Sequence, residues 1–467
     1  MKLIIVSNRV SYDEKPQSGG LAAAIQDTFK SINGMWIGWS GEIAEEVQRK
    51  NGKYENIEYK VFSLNEKEYQ DYYLNFSNEV LWPVCHLRPS YLRLFENSYA
   101  TYQKVNQQFA QEVAANAKDQ DLVWVHDYHL LLTGYFLRQT GHGGALAYFH
   151  HIPIPPLDLI RTIPHHREIF SGLTSYDLVG VQTKNDLKNL FEYFNHYKQP
   201  GVVIQTQGED AFYVEQDGQS THFSYYPISI DTKKIEEMSK ISIEEKEIHH
   251  LKESLGHRQL LIGVDRLDYS KGLENKFHAF DTFLKNYAAQ HQPVLLQIAN
   301  KSRSDLNSYQ DLCSGLEALA SSINGDHGNP SYTPIRYVNT VYDHASLTGL
   351  YRAARVGLVT PTKDGMNLVA KEFVASQNPE DPGVLILSEF AGAASELNEA
   401  LLINPFHTQS VAQSIAQALE MPQWERVQRH RSMLKKLRAH TIQTWHERFI
   451  ADLMEHCHPR RWGRTGS

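Results

Sequence analysis

The sequence predicts an α/β protein of two parallel-sheet domains, with ligands bound at strand ends in the cleft between them. Three observations carry that expectation. Short, near-continuously apolar runs alternate with amphipathic helical patterns almost from end to end, as in βαβ units whose strands are buried on both faces. The pattern breaks near 229–247, where Tyr226-Pro227-Ile228-Ser229 leads into a charged, helix-prone stretch without a strong core face. A length of 467 residues suits two or three domains.

In chain order, strands are predicted at 3–6, 122–125, 145–149, 178–181 and 202–205, then at 260–264, 294–299, 335–338, 356–359 and 384–387. All are expected to be buried and parallel. Leu273, Phe277, Phe280 and Leu284 share one face of a helix that follows 260–264. The segment 424–457 reads as one long, charged helix, with a frayed tail after it. The expected domains are 1–230 and 231–445, with 446–467 a helix and tail returning to the first.

Composition narrows the function. A net charge of −8 gives no basic footprint for nucleic acid, so anionic ligands must meet a few placed cations. Three cysteines, Cys85, Cys313 and Cys457, make neither a disulfide framework nor a metal motif. Nothing approaches the roughly 18 apolar residues of a membrane span, and the N-terminal apolar run is too short for a signal peptide. A cytoplasmic protein is expected. Nothing after 457 is long enough for a further catalytic domain.

The richest motif is Arg266-Leu267-Asp268-Tyr269-Ser270-Lys271-Gly272. It places Arg266 and Lys271 at the carboxyl end of a predicted strand and beside a helix start, where doubly wound domains bind phosphates. Two such cations neutralise a diphosphate without a metal. Asp364-Gly365-Met366-Asn367-Leu368-Val369 follows another strand, with Gly365 suited to the turn and the next amides to an anion or sugar hydroxyls. Glu372 lies inside that helix, within reach of a ribose diol. Ser18-Gly19-Gly20 allows close backbone approach, but is no G-x-G-x-x-G, which disfavours a nicotinamide dehydrogenase.

His126, Asp127 and His129 stand at one strand's end and His150-His151 at another. With no companion cysteine or carboxylate cluster, a polar-ligand site explains them better than a metal; no metal or cofactor is expected. The Asp119-Gln120-Asp121 string precedes a strand rather than following one, which rules out a phosphatase nucleophile, and neither a P-loop nor a nucleophile elbow is present.

These residues, with others in order, resemble the trehalose-6-phosphate synthase family of retaining glycosyltransferases. The shared strings are V-S-N-R at 6–9, G-G-L at 19–21, G-W-S-G-E at 38–42, Y-Y-x-x-F-S-N-x-x-L-W-P at 72–83, H-D-Y-H-L at 126–130 and H-I-P at 151–153. R-L-D-Y-S-K-G at 266–272, S-R at 302–303, D-G-M-N-L-V-A-K-E at 364–372 and L-S-E-F-A-G-A at 387–393 complete the set. The resemblance covers about residues 3–455. It implies two facing Rossmann-like domains of the GT-B kind, and transfer of glucose from a nucleotide sugar, UDP-glucose favoured, to glucose 6-phosphate.

Residue by residue, the resemblance assigns Arg266 and Lys271 to the donor diphosphate, helped by the Gly20 amide. Asp364 goes to the donor glucose, Asn367, Leu368 and Val369 to donor sugar and phosphate, Glu372 to the ribose, and the backbone near Tyr342 to the base. Arg9, Tyr73 and Arg303 would hold the acceptor phosphate, bordered by Trp82, with Trp39 and Asp127 along the acceptor sugar. His151 would contact the transferring glucose. Arg266, Lys271, Asp127 and His151 are the expected catalytic set. A separate trehalose-6-phosphate phosphatase is also expected; the family forms oligomers, so a homo-oligomer is possible, and the oligomeric state stays open. Ser229 stands where a glycine is common in the family, and Lys301 is an extra cation, read as a solvated lysine. Three alternatives stay open: a transferase with another phosphorylated acceptor, such as a glucosylglycerol-phosphate synthase; a cyclitol-coupling pseudo-glycosyltransferase; and a non-catalytic sugar-phosphate sensor.

Overall fold

The computed structural model describes residues 1–10, 34–54, 56–216, 218–287, 291–300 and 307–457. Gly20, Lys301, Arg303 and the tail beyond 457 lie outside them. The chain divides into two units, Met1–Ile228 with Ile442–Ser467, and Ser229–Thr441.

The first unit is built on β1 (Leu3–Arg9), β2 (Gly34–Ile43), β3 (Arg49–Tyr54), β4 (Ile57–Leu64), β5 (Leu122–His126), β6 (Leu146–Phe149), β7 (Leu178–Val181), β8 (Val203–Gln207), β9 (Ala211–Gln216) and β10 (Gln219–Tyr225). Their order across the sheet is β3-β4-β2-β1-β5-β6-β7-β10-β9-β8. From β4 to β10 every pairing is parallel, and the edges are antiparallel. The central strands are apolar on both faces because helices cover both, as βαβ connections require.

One expectation fails here for a physical reason. The 202–205 run is not a buried parallel strand: β8 is an antiparallel edge, and Val203 is 43% exposed. Its apolar stretch is only three residues long before Gln205-Thr206-Gln207, too little to claim a central place. Sequence reading also passes over β2, which glycines interrupt. A Cβ on Gly38 would lie 2.3 Å from the Ser7 carbonyl oxygen, so this glycine marks close packing of β2 on β1 rather than a loop.

The segment 424–457 is two helices, Gln423–Ala439 and Ile442–His456. The second belongs to the first unit. Phe449 stacks on Trp124 at 4.3 Å, and Trp445 Nε1 donates to the Tyr226 carbonyl at 3.1 Å. Burying two such aromatics contributes roughly 1.5–3 kcal/mol each, enough to fix the helix there.

The second unit carries β11 (Leu260–Arg266), β12 (Val294–Asn300), β13 (Ile335–Val338), β14 (Val356–Val359), β15 (Val384–Ser388) and β16 (Leu401–Ile403), all parallel. The order β13-β12-β11-β14-β15-β16 is the doubly wound 3-2-1-4-5-6 arrangement. Its direction reverses between β11 and β14, which makes the carboxyl ends of those strands the expected ligand crevice. Leu273, Phe277, Phe280 and Leu284 are buried in the core behind it.

Candidate functional site

At the end of β11 the chain passes Arg266, which is exposed, and turns through 267–272. Buried Asp268 holds the turn: its Oδ1 accepts the Ser270 N–H and its Oδ2 the Tyr309 hydroxyl, both at 2.9 Å. Gly272 follows at φ 64°, where an added Cβ would sit 2.3 Å from the Thr360 carbonyl oxygen. Only glycine lets this loop close against the end of β14.

The closure brings Lys271 to the other motif. Its Nζ donates to Asp364 Oδ2 at 2.5 Å, with both side chains nearly buried. The same oxygen accepts Asn367 Nδ2 at 3.1 Å, and Oδ1 accepts the Gly365 N–H at 3.0 Å. Lys271, Asp364 and Asn367 are thus one bonded set at the switch point of the sheet. Gly365 lies in this turn as expected, and its left-handed residue is Asn367, at φ 72°. Asn367 caps the helix Leu368–Ser376 by accepting the Ala370 N–H at 3.1 Å. The first-turn N–H groups of Leu368 and Val369 have by position no partner inside the helix. A phosphate or sugar oxygen is the natural acceptor for such groups.

Buried charge pairs brace this end of the sheet. Lys276 Nζ lies 2.7 Å from Asp265 Oδ2 and 2.8 Å from Gln297 Oε1, all inaccessible or nearly so. Lys371, on the capped helix, donates to Glu396 at 2.6 Å; burial pushes its amine below the usual value, with Glu396 opposing. Glu372 Oε1 is 3.5 Å from His344 Nε2. Tyr342 is half-buried, just ahead of the helix His344–Ala353.

In the first unit the predicted residues collect on an aromatic bed. The Arg9 guanidinium lies 5.9 Å from the centroid of Trp39, which is 5.5 Å from Tyr73, and Tyr73 stacks on His129 at 5.8 Å. Gly41, at φ 87°, makes room: a Cβ there would come within 2.8 Å of the Arg9 guanidinium. Tyr69 and Tyr73 stack at 5.6 Å on a helical stretch, Tyr69–Leu81, wound as a π-helix, with the Trp82 N–H bonded to the Ser77 carbonyl five residues back. Such windings often mark functional sites. Trp82 sits beside this bed, 5.6 Å from Tyr128, which contacts His129 at 3.9 Å.

Asp127 follows β5 at φ 74°, ψ 166°, a conformation that costs a non-glycine residue about 1–3 kcal/mol. Its N–H donates to the Phe149 carbonyl at 2.8 Å and its Oδ1 accepts the His151 N–H at 3.2 Å. These bonds across the ends of β5 and β6 hold the strain. His126 Nδ1 and His151 Nε2 are 2.9 Å apart, and His150 Nδ1 is 2.8 Å from the Tyr148 hydroxyl. Burial lowers His126 and His150 to about 3, and takes His151 well below its usual value. All three are neutral near pH 7. Among the described residues, no group of three or more His, Cys, Asp or Glu is placed to hold a metal ion.

A family model for glycosyltransferase family 20 matches residues 2–455. The chain belongs to that family. It is 40% identical over 457 residues to the trehalose-6-phosphate synthase of Sodalis glossinidius, covering 97% of this chain and 96% of the relative. Among solved structures it is similar to an α,α-trehalose-phosphate synthase (UDP-forming) from Burkholderia xenovorans in complex with glucose 6-phosphate. That match has TM-score 0.93 and 38% identity, and covers 97% of this chain and all of the other. An E. coli structure bound with UDP-2-fluoro glucose matches with TM-score 0.91 and 38% identity, over 98% of this chain and all of the other. The fold is therefore GT-B, with two Rossmann-like units, and the protein is a glycosyltransferase. No described helix is long and apolar enough to cross a membrane.

Sequence reasoning gives Tyr69 and Tyr128 no role, and His126 and His129 only a general place in a polar-ligand site. The H-D-Y-H string contained three of them, but contacts between β5, β6 and the π-helix are invisible to spacing.

Proposed function

We propose that the protein transfers glucose from UDP-glucose to glucose 6-phosphate with retention, giving α,α-trehalose 6-phosphate and UDP. The observation that carries this reading is the Lys271–Asp364–Asn367 set beside Arg266 at the β11/β14 switch point, in a chain whose relatives are trehalose-6-phosphate synthases.

Arg266 and Lys271 hold the donor diphosphate. Asp364 and the Asn367, Leu368 and Val369 amides bind donor sugar and phosphate, Glu372 the ribose diol, and the backbone near Tyr342 the base. Arg9 and Tyr73 hold the acceptor phosphate, bordered by Trp82; Trp39 and Asp127 line the acceptor sugar, and His151 contacts the transferring glucose. Gly20 and Arg303, outside the described residues, keep the roles that the resemblance gives them.

In the reaction the bond from glucose C1 to the UDP phosphate oxygen breaks. A bond forms from C1 to the anomeric hydroxyl oxygen of glucose 6-phosphate on the same face. The proton of that hydroxyl passes to the departing phosphate oxygen. Negative charge grows on the diphosphate, where two preorganised cations stabilise it. Asp127 already accepts the His151 N–H, which suits a positioning role better than a covalent nucleophile.

The free cysteines suit a cytoplasmic protein. Freeing the disaccharide requires a phosphomonoester hydrolysis, assigned to a separate phosphatase, and the chain can form a homo-oligomer. The test is turnover of UDP-glucose with glucose 6-phosphate in the presence of EDTA, with the product identified by mass and anomeric NMR. An α,α-linked disaccharide phosphate with UDP release is expected. Binding of glucose 6-phosphate with no product from any nucleotide glucose would replace this reading with the sensor.

A further inference from the structure

The contact between buried His126 and partly exposed His151 governs proton placement, and hence what His151 offers a sugar. His126 is 1% exposed and packs 4.6 Å from Trp124 and 6.5 Å from Phe149. The two imidazoles are near-parallel, at 24°, with centroids 5.2 Å apart and nitrogens 2.9 Å apart. The contact therefore runs edge to edge, through His126 Nδ1 and His151 Nε2, rather than face to face. The remaining nitrogen of His126, Nε2, is buried with no hydrogen-bond partner among the described residues. His151 is partly exposed.

One proton lies along the Nδ1–Nε2 line, and two arrangements are possible. If His151 supplies it from Nε2, a neutral His126 must carry its own proton on Nε2, leaving a buried N–H with nothing to receive it. If His126 supplies it from Nδ1, the group left over on His126 is only a lone pair. Orphaned buried N–H groups are the rarer and costlier defect. The second arrangement wins, and His151 Nε2 must accept. A neutral His151 then carries its own proton on Nδ1.

We propose that His126 is a positioning residue, which locks His151 in the Nδ1–H tautomer so that His151 donates to a hydroxyl oxygen of the transferring glucose. This rests on the transfer reaction proposed above for the role of His151, but not for its tautomer. Burial keeps both rings neutral, so the lock does not dissolve into a cation near pH 7. The backbone complements it: the Asp127 carboxylate accepts the His151 N–H from the same strand end that carries His126.

The test is long-range 1H–15N correlation of histidine-labelled, deuterated wild-type protein, with His151 assigned through His151→Gln. The expected spectrum shows His151 protonated on Nδ1. His126→Leu is expected to release His151 to the Nε2–H form and lower kcat about three- to tenfold, the worth of one hydrogen bond. The KM for glucose 6-phosphate should not change. His126→Asn, which keeps an N–H donor at the Nδ1 position, should restore both tautomer and kcat; a merely structural role would not separate Leu from Asn in this way. A wild-type His151 protonated on Nε2 overturns the proposal even if the variants do not fold. So do Leu and Asn variants alike in tautomer and rate. Because the spectrum needs no turnover, a failed tautomer leaves the reaction standing, and absence of turnover in the wild type removes the reaction alone.

Discussion

At the end of β11 the buried polar contacts include three ion pairs: Lys271 with Asp364, Lys276 with Asp265, and nearby Lys371 with Glu396. At the ends of β1, β5 and β6 they are mostly neutral: two imidazoles facing each other, tyrosines stacked on histidine, and tryptophan under the one guanidinium of Arg9. The first unit does contain a buried pair, Arg138 with Asp177, but it lies at the amino ends of β6 and β7, where Asp177 also accepts the Leu146 N–H. The difference follows the ligands proposed for each end. A leaving diphosphate needs fixed cations, whose own burial is tolerable only with counter-charges. Sugar faces need flat apolar surface and neutral donors, which imidazoles supply without counterions.

The largest effect that would sharpen this contrast is on stability. Lys276→Ala leaves Asp265 buried with only the Gln297 amide, and should cost about 3–5 kcal/mol in urea denaturation. A loss below about 1 kcal/mol would mean that the ionic brace is dispensable.

Acid should act on the other unit. His126, His150 and His222 have values lowered to about 3 by burial, and all lie in the first unit. Their neutral forms are folded and their charged forms favour unfolding. Stability is therefore complete above the ordinary histidine value of about 6.5 and falls as pH drops toward 3, by up to about 1.4 kcal/mol per pH unit for each. The buried tryptophans Trp36, Trp39, Trp82, Trp124 and Trp445 are all in that unit, whereas Trp424 is 68% exposed. Intrinsic fluorescence should thus report acid unfolding of the first unit beginning below pH 6.5. A fluorescence signal flat down to pH 4 would break the comparison.

The smallest effect concerns the aromatic bed. Trp39→Phe loses the indole N–H donated to the Glu42 carbonyl at 2.8 Å and part of the ring surface. It should raise the KM for glucose 6-phosphate about two- to tenfold with kcat nearly unchanged. A fall in kcat alone would move Trp39 from binding to chemistry.

Much of this was legible in the residues. The Arg266–Gly272 loop, its strand and the apolar face at Leu273, Phe277, Phe280 and Leu284 could be read because strand, turn and helix periods change within a few positions. The turn at Gly365 and the helix start at Leu368 were legible, but the left-handed place of Asn367 was not, because only the backbone decides it. The 202–205 error arose because an apolar run shows hydrophobicity and not its neighbours. The strand β2 was missed because glycines needed for close packing look like loop signals. The break at His440-Thr441 carries no proline or glycine, and the threonine before Ile442 is a weak helix-start signal on its own. The aromatic bed and the histidine pair join residues up to about 90 positions apart, a distance no periodicity spans.

The central claim is that the Lys271 ammonium stabilises the leaving diphosphate, while the first unit holds the acceptor and contacts the transferring glucose through neutral groups. Steady-state kinetics of Lys271→Ala, varying UDP-glucose and glucose 6-phosphate in turn, test it most directly. The account predicts a kcat lower by about a hundred- to a thousandfold, roughly 3–4 kcal/mol, with the KM for glucose 6-phosphate unaltered. An unchanged kcat would contradict it.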